Sequence, residues 1–110
     1  MNQPKRRLPI PGQRLTGRFY HRTRAVVAIL RRGFRNGKGT YLTDRTWRGV
    51  WLSNVPLDEN KGAAGDALLE VRIPSRLVKP YEWFEEGKPY REFLVPAALL
   101  NEHGRVRRLE

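Results

Sequence analysis

The sequence predicts an α+β fold: one strand-rich domain with a single main helix after its first strand. Three observations predict it. Short runs of β-branched and aromatic residues recur along the chain, most of them closed by proline or glycine. One segment, residues 23–33, instead carries its apolar residues at helical spacing. The chain is 110 residues long and 39% hydrophobic, which sets one domain with a modest core.

The elements follow in order. Residues 1–15 hold three prolines and little periodicity, so they read as a loose basic arm before a domain spanning 16–104. The run LTGRFYH (15–21) is a short strand. In TRAVVAILRRG (23–33), Thr23 is placed to cap a helix, and Val26, Ile29 and Leu30 make one apolar stripe. Gly33 stands where a left-handed C-terminal cap is expected, and Phe34 can close over it. The glycine-rich stretch that follows allows at most a brief strand at 40–43. GVWLSNVP (49–56) is a stronger strand, and LDENKGAAGD (57–66) is a loop. ALLEVRIP (67–74) is a clear strand, and SRLVKP (75–80) has room for one helical turn. YEWFEE (81–86) and YREFLVP (90–96) are strands about a turn, and AALLNEHG (97–104) is a short helix. Residues 105–110 read as a basic tail.

Charge and composition narrow the function. The formal net charge is +11, and most of the excess lies at the two ends of the chain. Such ends attract a polyanion, DNA or RNA, by a salt-sensitive and sequence-independent route; alternatively they only keep the protein soluble. There is no cysteine, so disulfides and thiolate metal sites are excluded, which fits a cytoplasmic protein. No apolar run approaches the ~20 residues of a membrane span, and no apolar segment follows the basic N-terminus as a secretory signal requires. His21 and His103 lack a third partner at metal-ligand spacing, so no metal site is expected. Neither a phosphate-binding glycine loop nor a Ser-His-Asp pattern is present. The acidic group Glu82, Glu85 and Glu86 reads as an exposed strand edge or turn, placed to discourage edge-to-edge association.

Two residues stand out. His21 ends the first strand where the helix is about to begin. Glu92 is a carboxylate on a strand whose two faces, Tyr90, Glu92, Leu94 and Arg91, Phe93, Val95, are both mostly apolar. A carboxylate in that setting needs a partner, and a rim position beside an arginine would supply one.

FYHRTRAVVAILRRGF, GVWLSNVP and REFLVPAAL, in this order, resemble three motifs of the ADP-ribosyltransferase superfamily. The likeness is to its DNA-modifying toxins and to the RNA 2′-phosphotransferases, and it runs over roughly residues 18–101. It implies a split antiparallel sheet and an H–aromatic–E triad spread over three strands. His21 then matches the residue that binds the adenine-side ribose of NAD, with Thr23 beside it at a helix start whose free N–H groups suit a diphosphate. Trp51 matches the aromatic residue against nicotinamide, where tyrosine is the commoner occupant, and Tyr41 competes for that place. Ser53 matches a small hydroxyl residue at the nicotinamide end. Glu92 matches the catalytic glutamate, which stabilises oxocarbenium character on the ribose. Among the arginines, Arg22, Arg45 and Arg48 lie nearest the implied cleft and are candidates to grip a substrate, whereas Arg31 and Arg35 read as solvated helix residues. Tyr90, two residues before Glu92, departs from the pattern of arginine-modifying members.

The resemblance therefore implies NAD-dependent ADP-ribosyl transfer, or NAD glycohydrolysis, with NAD as substrate, no metal, and nucleic acid as a candidate acceptor. It also implies that His21 and Glu92 face one cleft. The alternative is a non-catalytic module on the same fold that binds nucleic acid or a protein.

Overall fold

The computed structural model describes residues 14–40, 46–57 and 67–110. Seven strands and three short helices follow one another as β1 (Arg18–Thr23), α1 (Val26–Arg32), β2 (Gly37–Thr40), β3 (Thr46–Ser53), β4 (Ala67–Arg72), α2 (Ser75–Val78), a 3-10 turn (Lys79–Tyr81), β5 (Glu82–Trp83), β6 (Glu92–Val95), α3 (Ala97–His103) and β7 (Arg105–Arg108). Every pairing is antiparallel, and the strand order is β5-β6-β3-β1-β4-β7, with β2 paired to β3. The strand-rich α+β expectation is met. No helix of the described residues is long and apolar enough to cross a membrane.

Strand alternation sorts the side chains. Phe19, Leu69, Val71, Val50, Leu52, Phe93 and Val95 are buried, and Leu100 of α3 packs with them. Phe19 and Phe93, both fully buried, meet edge to face with ring centroids 5.2 Å apart. The cross-strand registers Tyr20↔Ser53, Ser53↔Glu92, Trp83↔Glu92, Tyr20↔Glu70 and Glu70↔Arg107 put Trp83, Glu92, Ser53, Tyr20, Glu70 and Arg107 in one row on the opposite face.

The sheet is uneven at its centre. β1 and β4 pair over six residues, and β3 and β6 over four, but β1 and β3 share only the Tyr20↔Ser53 pair. Two half-sheets therefore meet at a single point.

Several boundaries differ from the sequence reading. The helix begins at Val26, with Ala25 at its N-cap; Thr23 closes β1, and its Oγ1 accepts a bond from the Ala25 N–H (2.9 Å). Val26 and Ile29 lean on the core, but Leu30 is 49% exposed, so the expected stripe is shorter by one residue. Gly33 has a positive φ (90°), but with ψ at 175° it is not in the left-handed helical conformation expected of the cap. A Cβ there would lie 2.7 Å from Asn101 Oδ1. That close approach matters because Asn101 brackets Phe34: its Oδ1 accepts from the Phe34 N–H (2.7 Å) and its Nδ2 donates to the Phe34 carbonyl (2.9 Å).

A brief strand runs over Gly37–Thr40, while the rest of the expected 40–43 strand lies outside the described residues, and YEWFEE contributes only Glu82 and Trp83. Glu82 is not an exposed edge charge: its carboxylate is 5% exposed and takes both Arg91 Nε (2.8 Å) and Arg91 Nη2 (2.7 Å). The largest correction is at the end of the chain. Residues 105–108 are not a tail but a strand, paired to β4 from Leu69↔Arg108 to Arg72↔Arg105, with Val106 packed on the core. Of the N-terminal arm, residues 1–13 lie outside the described residues.

Candidate active site

The strands bearing the three singled-out residues, β1 with His21, β3 with Trp51 and β6 with Glu92, are consecutive in the sheet. They flank the point where the half-sheets part.

His21 bridges that point. Its Nδ1 lies 2.7 Å from the Trp51 carbonyl oxygen. A carbonyl can only accept, so in the neutral ring Nδ1 carries the proton and Nε2 is left as an acceptor. Burial lowers the His21 pKa, and the bond to Trp51 opposes that shift only in part, so the ring is neutral at pH 7. The Phe34 ring packs edge-on against it at 5.6 Å. Phe34 is itself seated by Asn101, so α3 positions the histidine at one remove.

Glu92 opens β6 opposite Ser53. The ladder continues one residue further: Asn54 N–H donates to the Arg91 carbonyl (3.1 Å), and Arg91 N–H donates to Asn54 Oδ1 (2.8 Å). The start of β6 is therefore held firmly against β3. The partner expected of a carboxylate in this setting is a lysine, not an arginine. Lys88 Nζ lies 2.5 Å from Glu92 Oε1 and 3.5 Å from Glu85 Oε1. Burial works against the charge of Lys88, but its bond to Glu92 and the attraction of Glu92, Tyr90 and Glu85 outweigh this and raise its pKa. Arg91 is committed to Glu82.

Trp51 and Trp83 stand edge to face, with centroids 5.5 Å apart and planes at 84°. Trp83 is directly across from Glu92, so an aromatic corner lies beside the carboxylate. Sequence reading did not single out Trp83; its register opposite Glu92 depends on the turn between β5 and β6, which residue spacing does not determine.

The remaining candidates divide. Ser53 is buried, and its hydroxyl donates to the Val55 carbonyl (2.6 Å), so it serves the local turn. Arg22 donates to the Leu57 carbonyl (2.7 Å) and to Glu110 (2.9 Å), which makes it a tie between β1, the segment after β3 and the chain end. Thr23 is buried and bonded to the following turn. Arg48 is exposed on β3, paired across to Lys38. Tyr41 and Arg45 lie outside the described residues. α1 has seven residues and no acidic residue in its first turn.

The expectation that His21 and Glu92 face one shared cleft is not met, because strand alternation sets the two side chains on opposite faces of the sheet. Glu92 shares its row with Ser53 and Tyr20, whereas His21, the next residue of β1, alternates to the face of Phe19 and Thr23. The two do not stand in one row. They are linked through β3, His21 by the Trp51 carbonyl and Glu92 by its pairing with Ser53.

Comparison with protein-family models, with curated proteins and with solved structures finds no match to this chain.

Proposed function

We propose that the protein cleaves NAD at the nicotinamide–ribose bond, as an ADP-ribosyltransferase-like enzyme or NAD glycohydrolase. One observation supports this most. The three motif-bearing strands, far apart in sequence, are neighbours in the sheet, and His21 is bonded directly to Trp51 where the half-sheets part. Because His21 and Glu92 lie on opposite faces, this reading requires the ligand to reach through the split between the half-sheets.

In this reading Nε2 accepts a hydrogen bond from a ribose hydroxyl. Trp51 offers a flat surface to nicotinamide, with Trp83 standing edge-on beside it. The bond from the ribose anomeric carbon to nicotinamide breaks, and its electron pair leaves with nicotinamide. Glu92 stabilises the positive charge that develops on the ribose. Water or an acceptor hydroxyl or amine then bonds to the anomeric carbon and gives up its proton, to the carboxylate or to solvent.

A second reading, a non-catalytic module on the same fold, is favoured by the Lys88–Glu92 pair, since a carboxylate engaged in this way can be purely structural. Incubation with NAD, with and without DNA or RNA, separates the two. The enzyme reading expects free nicotinamide, together with thermal stabilisation of about 2 kcal/mol or more when NAD is far above its Kd. Neither effect at millimolar NAD leaves the module reading as the better account.

A further inference from the structure

The registers Arg18↔Arg72 and Arg72↔Arg105 set three arginines side by side in one cross-strand row over β1, β4 and β7. Arg107 stands in the next row on the same face, opposite Glu70. Neighbouring strands are about 4.8 Å apart, so the row spans roughly 10 Å. Like charges placed directly opposite destabilise a sheet. The carboxylate among them is Glu70, which is 3% exposed and already engaged, 3.0 Å from Arg107 Nε and 3.8 Å from Arg72 Nε. The guanidinium side chains nevertheless remain open, at 56% exposure for Arg72 and 70% for Arg107, and Arg18 and Arg105 are exposed as well.

Protection of a sheet edge explains positive charge on β7, which is an outer strand. It does not explain Arg18 and Arg72, which stand on the inner strands β1 and β4. Every cation of the row is arginine, whose planar fork matches phosphate oxygens in pairs. The adjacent row on this face runs from Arg107 and Glu70 through Tyr20 and Ser53 to Glu92.

We infer that this row, Arg18, Arg72 and Arg105 with Arg107 beside it, is a docking surface for the phosphate backbone of a nucleic acid. The surface belongs to the folded sheet rather than to loose basic ends. It holds a strand on the face that also bears Glu92, and its binding does not depend on NAD chemistry.

Fluorescence anisotropy with a labelled single strand, the matching duplex and the matching RNA tests the inference and identifies which nucleic acid is taken. The Arg18→Gln/Arg105→Gln variant leaves both partners of Glu70 in place, so its fold is expected to survive; circular dichroism checks this. Removing two phosphate contacts is expected to weaken binding about tenfold or more and to flatten the slope of log K against log salt by about 1.4 for a single strand or 1.8 for a duplex. The control is Arg31→Gln/Arg35→Gln, which removes the same charge from the exposed side of α1 and the segment after it. Equal losses in the two variants would mean diffuse attraction by net charge and overturn the inference. So would wild-type protein that prefers a poly-glutamate peptide to every nucleic acid, which would mark an acidic protein as the partner. A nicotinamide assay without nucleic acid scores the NAD reading separately, so either idea can fail alone.

Discussion

Replacing Glu92 by Gln separates a catalytic carboxylate from a structural one. The substitution keeps the shape and a bond acceptor, so the packing of β6 against β3 is unaffected. What is lost is the negative charge beside Lys88. Glu92 is 15% exposed and Lys88 27% exposed, so the pair is partly wet, and its loss is expected to cost no more than about 1 kcal/mol of stability. The loss of a charge aimed at a developing cation is larger, about 10²–10³ in turnover, or roughly 2.7–4 kcal/mol. The signature is therefore a small shift in the urea midpoint with a large fall in the rate of nicotinamide release, and an NAD affinity little changed. Lys88→Gln breaks the same ion pair from the other side and keeps the carboxylate. If Glu92 acts on the ribose, Lys88→Gln retains most of the rate. Full activity in Glu92→Gln, or an equal loss in both variants, would refute the reasoning and return Glu92 to a structural role.

His21 makes stability depend on pH. Burial holds its folded pKa below the ordinary value of 6.5, so below that pH the unfolded chain binds more protons and stability falls as the pH drops from about 7 toward 5. His21→Gln should flatten that part of the curve of urea midpoint against pH, and parallel curves for the two proteins would show that His21 is not the group responsible. Deletion of residues 104–110 should leave the protein aggregated or unfolded by light scattering and circular dichroism, because it strips β7 from β4 and removes Arg107 from the buried Glu70. A soluble, cooperatively melting truncation would mean that this segment is a dispensable tail.

Much of the architecture was legible in local chemistry. A strand such as ALLEVR, with an almost unbroken apolar run closed before Pro74, declares itself because burial on both faces leaves little choice of residue. AALLNEH is legible as a helix because proline sets its start and Gly104 its end. β7 was hidden for the opposite reason. In RVRR one apolar residue, Val106, carries the burial, and the rest of the strand's stability comes from its ladder to β4, a partner far away in sequence.

The sequence by itself determined which side chains are chemically unusual: a histidine at a strand end, a carboxylate on an apolar strand, and an excess of arginine. Only the tertiary structure decided what those residues meet. Strand order is a matter of long-range pairing, so nothing local foretells that β1, β3 and β6 lie side by side, or that Trp83 stands opposite Glu92. A shift of one residue in register would move a whole strand's side chains to the other face. Register is why Arg18, Arg72 and Arg105 form one row, and why His21 and Glu92 are joined through β3 instead of standing together.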